Sequence, residues 1–175
     1  MPEQSILLGP MIRSARNSVS NNPRLWRWPT QEQDSECPPL YAIAASSNGI
    51  VVGTGNKVED FGVGFFTKYG DGGVDISPIA DLYKSEVYSL ADALEVIQEI
   101  QDASPTDGLW DDGRTDEDQL GASYAELEWA MKETENPSGQ EHSDREKEVL
   151  ERYLELNAAN SHKMNPIPVF QMSRR

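Results

Sequence analysis

The sequence predicts an α/β fold, because a helix end, a tight turn and a short apolar strand follow one another before a glycine-rich segment. The apolar residues 40–45 end the predicted helix, and Ser-Ser-Asn-Gly forms the turn. The strand spans residues 49–53, and its Ile-Val-Val core lacks polar alternation. Such a run is typical of a parallel strand that is covered on both faces. A helix, a turn and a buried strand in this order indicate α/β architecture.

Composition limits the class of protein before any motif is considered. The chain has 175 residues, of which 37% are hydrophobic, so we expect one domain with a modest core. Its net charge of -15 argues against nucleic acid and anionic membranes as partners, since both would be repelled. Cys37 is the only cysteine, which excludes an internal disulfide and fits a reducing compartment. Since no apolar run approaches the roughly 20 residues of a membrane span, we expect a cytoplasmic protein.

The amino-terminal part differs from the rest of the chain. Residues 5–19 have a weak helical pattern that Gly9-Pro10 interrupts, and residues 20–39 contain several prolines without a sustained period. We therefore expect residues 1–39 to be a divergent, irregular segment and residues 40–175 to form the folded portion.

Three helices are predicted after the strand. Ser77-Pro78 predicts the first start, since serine caps orphan N–H groups and proline fits the first turn. The apolar residues of this helix that we expect to face the core are Ile79, Tyr83, Val87, Leu90 and Leu94. Two later starts have the Ser-x-x-Glu form of a capping box, namely Ser123 with Glu126 and Ser143 with Glu146.

Residues 53–88, between the strand and the first of these helices, combine glycines, carboxylates and lysines. Thr54 and Glu59 follow the strand end, which is where α/β sheets bind their ligands. Lys68, Asp75 and Lys84 come next, separated by glycine turns. A hydroxyl, a carboxylate and lysines can hold a nucleotide phosphate with its Mg²⁺. The alternative interpretation is an ordinary glycine-rich loop with solvated charges.

Familiar phosphate and metal motifs do not fit the spacing. Thr67 stands where a dinucleotide fingerprint beginning at Gly62 needs its third glycine. In the acidic loop at residues 102–119, Gly108 and Trp110 stand where calcium ligands are needed. His142 and His162 have no cysteine partners, so on the pattern alone both are predicted to be ordinary surface histidines.

Three blocks, covering about Tyr41 to Val169, closely resemble the ammonia-dependent NAD synthetases. They read GTGNKVEDFGVGFFTKYGDGGVDISPIADLYKSEVY, PTDGLWDDGRTDEDQLGASYAELEWAM and NSHKMNPIP. The resemblance implies a partial three-layer adenine-nucleotide α-hydrolase-like (Rossmann-like) fold, mostly helical with few parallel strands. It also implies a ligase in which ATP adenylates the nicotinate carboxylate of deamido-NAD and releases pyrophosphate. Ammonia then displaces AMP to give NAD.

The resemblance implies roles for individual residues on the nucleotide side of the site. Thr54, Lys84 and Thr106 are similar to ATP contacts of the family, and Glu59 is similar to its Mg²⁺ carboxylate. The tract at residues 107–118 resembles a loop that closes over the site.

The same resemblance assigns the deamido-NAD side to Lys68, Asp75 and the His162-Lys163 dipeptide. His162 thereby becomes a candidate site residue. Family members are homodimers with substrate sites at the interface, so a homodimer is implied here too.

Two features depart from the family pattern. The phosphate-binding SGGxDS motif does not occur in the 175 residues, and Asp34 and Glu36 stand where the family has an arginine-rich helix. We therefore expect a carboxy-terminal portion of the enzyme. The alternative is an inactive fragment or a nucleotide-binding subunit that needs another chain for the phosphate loop, because that loop supplies N–H donors to ATP.

Overall fold

A computed structural model describes residues 30–106 and 112–173, which are mostly helical, as predicted. The elements are α1 (Thr30–Ser47), a π-helical turn (Glu59–Val63), α2 (Lys84–Ala93), α3 (Gln98–Gln101), α4 (Asp116–Leu120), α5 (Tyr124–Glu135) and α6 (Asp144–Met164). Within these ranges, β-pairing consists of one isolated parallel bridge between Val52 and Ile76. None of the described helices has the length and apolarity to cross a membrane.

Helix α1 corrects the prediction for the end of the amino-terminal segment. Residues 30–39 are helical rather than irregular, even though Pro38 and Pro39 lie inside the helix. The local pattern could not reveal the contacts that α1 makes with a distant loop, where the Cys37 thiol donates to the Gly73 carbonyl at 3.5 Å. The helix end predicted at residues 40–45 is confirmed. The helix predicted at residues 5–19 lies outside the described residues, and the domain boundary after residue 39 stays a prediction.

The predicted strand is shorter and more exposed than expected. The Gly53 N–H donates to the Ile76 carbonyl at 2.7 Å, and the Asp75 N–H donates to the Val51 carbonyl at 2.9 Å. Val51 is buried, but Ile50 and Val52 are 59% and 51% exposed. The prediction of a strand covered on both faces is therefore wrong for the described residues, because Ile50 and Val52, which share one face, are both more than half exposed.

Helix α2 begins at Lys84, not at the predicted Ser77-Pro78 start. Residues 77–82 form turns instead, with the Leu82 N–H donating to the Ile79 carbonyl at 3.0 Å. Two carboxylates fix the actual start, since Glu86 accepts the Tyr83 N–H at 2.8 Å and Glu128 of α5 accepts the Ser85 hydroxyl at 2.8 Å. The prediction that the later apolar residues of this helix face the core is wrong, because Leu90 and Leu94 are 40% and 68% exposed.

The hydrophobic core lies between α5, α6 and the π-helical turn. Both predicted capping boxes are confirmed at the starts of α5 and α6. The largest fully buried side chains are those of Leu120, Leu127, Val58, Val63 and Val149. Since Val58 precedes the π-helical turn and Val63 is its last residue, the glycine-rich segment packs directly on the core.

Candidate functional site

A cleft of about 150 Å³ opens where the short strand segment ends. It is lined by Thr54, Gly55, Glu59, Asp60, Phe65, Asp71 and Asp116. The structure therefore brings together two residues predicted for the nucleotide side, Thr54 and Glu59. None of the remaining lining residues was predicted individually, although Asp116 belongs to the tract at residues 107–118 that was predicted to close over the site.

Asn56 holds Glu59 in place and was missed in the sequence. The residue is 2% exposed, and its Oδ1 accepts the N–H groups of Val58 and Glu59, each at 3.0 Å. Its Nδ2 also donates to Glu59 Oε2. The buried asparagine therefore caps the π-helical turn and orients the carboxylate. Asn56-x-x-Glu59 has the form of a capping box, which was the available signal.

Lys84, predicted for ATP, lies against Glu59. Its Nζ is 2.6 Å from Glu59 Oε1, and each of the two side chains is only 17% exposed. The same ammonium lies 4.6 Å from the centroid of the Tyr124 ring. Burial, followed by the charge of Glu59, raises the pKa of the Tyr124 hydroxyl far above its usual range. Tyr124 therefore stays protonated and donates to Asp116 Oδ2 at 3.1 Å.

Asp60 contributes a carboxyl group with a raised pKa, and hence an unusually weak acid, to the cleft. It lies against Gly55 so closely that a Cβ at residue 55 would overlap it. Burial, and then the negative charges of Asp71 and Glu59, raise the pKa of Asp60 to about 7, opposed by the positive charge of Lys163. This carboxyl group therefore gains or loses a proton near neutral pH, which an ordinary surface aspartate does not do.

Three of the four residues predicted for deamido-NAD, Lys68, His162 and Lys163, lie near one another. Lys68 Nζ donates to the His162 carbonyl at 2.6 Å, although 94 positions separate the two residues. Lys163 Nζ donates to the carbonyls of Gly64 and Phe66 at 2.7 and 2.9 Å. Burial lowers the pKa of Lys163, and the charges of Asp71 and Asp60 oppose that shift. The His162 side chain is exposed, with Nδ1 3.2 Å from the Ala159 carbonyl.

The other two predicted site residues, Asp75 and Thr106, bond to partners that do not line the cleft. Asp75 Oδ2 accepts the Val51 N–H at 2.8 Å, and its Oδ1 accepts the Tyr41 hydroxyl at 3.5 Å. Thr106 Oγ1 donates to the Arg114 carbonyl at 3.3 Å. In the tract predicted to close over the site, residues 107–111 lie outside the described residues, whereas Asp116 lines the cleft.

The donor atoms fit a magnesium ion that arrives on a nucleotide better than a protein-only metal cage. Within the described ranges, no group of three or more His, Cys, Asp or Glu side chains is arranged to hold a metal ion. Mg²⁺ in nucleotide sites commonly takes one or two protein carboxylates, with phosphates and water completing the shell. Glu59, which lines the cleft together with other oxygen-bearing side chains, can supply such a carboxylate.

Solved structures with the same fold define the class of the protein. A structure of NMN synthetase from Francisella tularensis matches with a TM-score of 0.72 and 32% identity, covering 93% of this chain and 64% of that one. An NH3-dependent NAD synthetase from Campylobacter jejuni matches with a TM-score of 0.64 and 23% identity, over 93% and 63%. The fold is therefore that of NAD synthase-like proteins.

Sequence comparison gives the family itself. The NAD synthase family model matches residues 33–167, so the chain belongs to the NAD synthase family. The NH(3)-dependent NAD(+) synthetase of Archaeoglobus fulgidus is 46% identical over an alignment that covers 74% of this chain and 49% of that enzyme. The enzyme of the same name from Thermoplasma acidophilum is 40% identical, over 72% and 50%. The chain thus spans about half the length of the curated relatives it matches.

Proposed function

We propose that the chain serves an NAD synthetase-type ligase, which amidates deamido-NAD with ammonia at the expense of ATP. ATP would transfer AMP to the nicotinate carboxylate and release pyrophosphate. Ammonia would then attack the activated carbonyl carbon, and AMP would leave as NAD forms and a proton is lost. The observation that carries the proposal is that Thr54 and Glu59 line one cleft and that Lys84 pairs with Glu59, within a chain of this family.

The ATP side of the proposal uses groups that already face one another. Lys84 is a cation that can offset phosphate charge, and Glu59 is the oxygen ligand proposed for Mg²⁺. The ion pair between them holds both side chains in place at 2.6 Å before any ligand enters. Bound magnesium would neutralise phosphate charge, and Thr54 would supply a hydroxyl contact. Thr106 is kept as the third proposed ATP contact, on the side of the acidic loop.

The deamido-NAD side of the proposal rests on Lys68, His162 and Lys163. Lys68 reaches the carbonyl-rich end of α6, where a helix carries partial negative charge. An anionic ligand that approaches this ammonium would replace a neutral carbonyl with a stronger, charged partner. The exposed imidazole of His162 lies at the same place. Asp75 is proposed as a further contact.

The remaining parts of the proposal follow from family membership and composition. We propose a cytoplasmic protein that acts on small molecules as a homodimer, without nucleic acid or membrane as partner. The net charge of -15 supports the last point, because phosphate backbones and anionic lipids would be repelled.

The direct test gives the purified 175-residue chain ATP, Mg²⁺, ammonia and deamido-NAD, and measures NAD and AMP. Equal amounts of NAD and AMP are expected, and Glu59→Gln should abolish both products. AMP without NAD, or neither product from a protein that binds neither nucleotide, would contradict the proposal. Binding of both nucleotides without turnover would instead support the alternative of a nucleotide-binding subunit that needs another chain.

A second substrate is included because the Francisella tularensis structure, with the higher TM-score of 0.72, is described as an NMN synthetase. The same assay with nicotinate mononucleotide in place of deamido-NAD tests this mononucleotide. A larger kcat/KM for the mononucleotide would move the proposed substrate from the dinucleotide to the mononucleotide while keeping the chemistry.

A further inference from the structure

The last three turns of α6 carry a row of hydrogen-bond donors that faces the π-helical turn and the residues just after it. Asn157, Asn160 and Lys163 are spaced by three residues, so they share one face of the helix. Asn157 Nδ2 donates to the Gly62 carbonyl at 2.7 Å, and Asn160 Nδ2 donates to the Val63 carbonyl at 2.8 Å. Lys163 Nζ continues the row to the carbonyls of Gly64 and Phe66 at 2.7 and 2.9 Å.

The carbonyls of Gly62, Val63 and Gly64 are those that a helix leaves unsatisfied at its end, whereas the Phe66 carbonyl lies just beyond it. The π-helical turn stops at Val63, and Gly64 reverses the chain with φ 64°. The last carbonyls of a helix need partners outside it, and here the side chains of α6 supply them. Gly64 also packs so tightly on Asn160 that a Cβ would overlap it.

The same turn carries Glu59 at its first residue, held there by Asn56 and Lys84. The two ends of the turn are therefore held by different parts of the chain. Residues beside the proposed nucleotide cleft hold the first end, and side chains of α6 hold the last end. Just beyond the turn, Lys68 donates a hydrogen bond in the opposite direction, to the His162 carbonyl of α6. The loop and the end of α6 are thus tied in both directions.

We propose that Asn157, Asn160 and Lys163 form a carbonyl clamp that positions Glu59 and Lys68 for the nucleotides, a role that rests on the proposed function. Lys163, which the family resemblance assigns to the deamido-NAD side, serves that side in this clamp through the carbonyls of Gly64 and Phe66 rather than by contact with the ligand. Its ammonium is half-buried and already has two backbone acceptors. The clamp residues are therefore positioning residues, and Lys68 is the cation left to meet the ligand.

Hydrogen–deuterium exchange of the ligand-free chain tests whether the clamp holds the turn. Asn157→Leu and Asn160→Leu keep the side-chain shape and remove the donor, so amides of residues 59–66 should exchange at least tenfold faster. Glu151→Leu, on the exposed side of α6, is the control and should leave these amides unchanged. Equal exchange in the clamp variants and wild type would overturn the clamp, whether or not the chain binds nucleotides.

Calorimetry with deamido-NAD tests the link to the site. Each Asn→Leu variant should raise Kd at least tenfold, and Glu151→Leu should not change it. Unchanged affinity together with faster exchange would show that the clamp is only structural and would overturn its positioning role. If the wild-type chain does not bind deamido-NAD at all, the proposed function fails, and the exchange comparison alone decides whether the clamp exists.

The salt dependence of the same Kd separates the two lysines. Lys68→Gln should flatten the dependence of Kd on salt, because an ion pair with the ligand is screened by salt. Lys163→Gln should weaken binding but keep the wild-type slope. A flattened slope in Lys163→Gln would place its charge on the ligand and overturn the role proposed here for Lys163.

Discussion

Lys84 Nζ lies 2.6 Å from Oε1 of Glu59, and each of the two side chains has 17% of its surface exposed. Among the described ion pairs of two full charges, no other has both side chains buried to this degree, which is 83%. The two residues stand 25 positions apart, on α2 and on the π-helical turn. The pair joins the first residues of two elements at the edge of the cleft. A charge in such a position depends on its partner, because little water can replace it.

Replacing Lys84 by methionine should therefore destabilise the fold and weaken ATP binding. Met keeps the chain volume but leaves the Glu59 carboxylate partly unpaired, for which we expect a loss of about 1–3 kcal/mol in the free energy of unfolding. Urea denaturation measures this loss. Lys147→Met is the matched control, since Lys147 Nζ is 3.9 Å from an exposed Asp144. Equal stabilities of the two variants would show that the buried pair contributes nothing.

Asn56→Ala should cost more than the same change at an exposed asparagine. It removes the acceptor of two N–H groups and the donor to Glu59, so we expect a loss of about 1–3 kcal/mol, measured by urea denaturation. Asn136→Ala is the control, because residue 136 is exposed. If the two variants lose the same stability, Asn56 does not cap the turn.

Gly55→Ala should destabilise the chain through its contact with Asp60. The added Cβ overlaps the Asp60 carboxyl group, and relieving such an overlap costs roughly 1–3 kcal/mol. In the double variant Gly55→Ala/Asp60→Ala the overlap is gone, so the second change should restore most of the loss. Gly49→Ala meets its nearest atom at an ordinary 3.4 Å and serves as control. A double variant as unstable as the sum of the two single changes would exclude this contact as the cause.

Glu126 should make stability depend on pH in the acid range. Hydrogen bonds from Arg145, and then from the Ser123 N–H, lower the pKa of Glu126 to about 2. A carboxylate whose pKa is lower in the folded state stabilises the fold above its unfolded pKa, and that contribution is lost as the pH falls towards 2. Glu126→Gln should thus be less stable than wild type at pH 7 and equally stable near pH 2.

The control for this pH profile is Glu148→Gln, since Glu148 contacts the same Arg145 at 3.1 Å but is 69% exposed. Exposed pairs contribute little, so its profile should follow wild type. A Glu126→Gln deficit that stays constant from pH 7 to pH 2 would show that the carboxylate charge is not responsible.

Local signals in the sequence predicted those parts of the fold whose causes are local. The Ser-x-x-Glu patterns at Ser123 and Ser143 were sufficient because each capping box closes within four residues. The start of α2 was predicted wrongly because it depends on Glu128, a residue of α5 that is 43 positions from its partner Ser85. A proline after a serine was the stronger local signal, and a tertiary contact overrode it.

The candidate site shows the same division. Thr54 and Glu59 could be found because they follow a strand end within a few residues. Asn157 and Asn160 carry no local signal of their role, since their acceptors are backbone carbonyls 95 and 97 positions away. Backbone acceptors have no residue type, so no sequence pattern reveals them.

Calorimetric binding of deamido-NAD to the wild-type chain and to Lys68→Ala tests the central claim most directly. The account predicts that wild type binds and that Lys68→Ala binds at least tenfold more weakly, whereas Lys147→Ala, an exposed lysine of α6, binds as wild type does. Binding should also stabilise the wild type by about 2.7 kcal/mol when free ligand is a hundredfold above Kd. Absence of binding to wild type, or equal affinity in Lys68→Ala, would contradict the account.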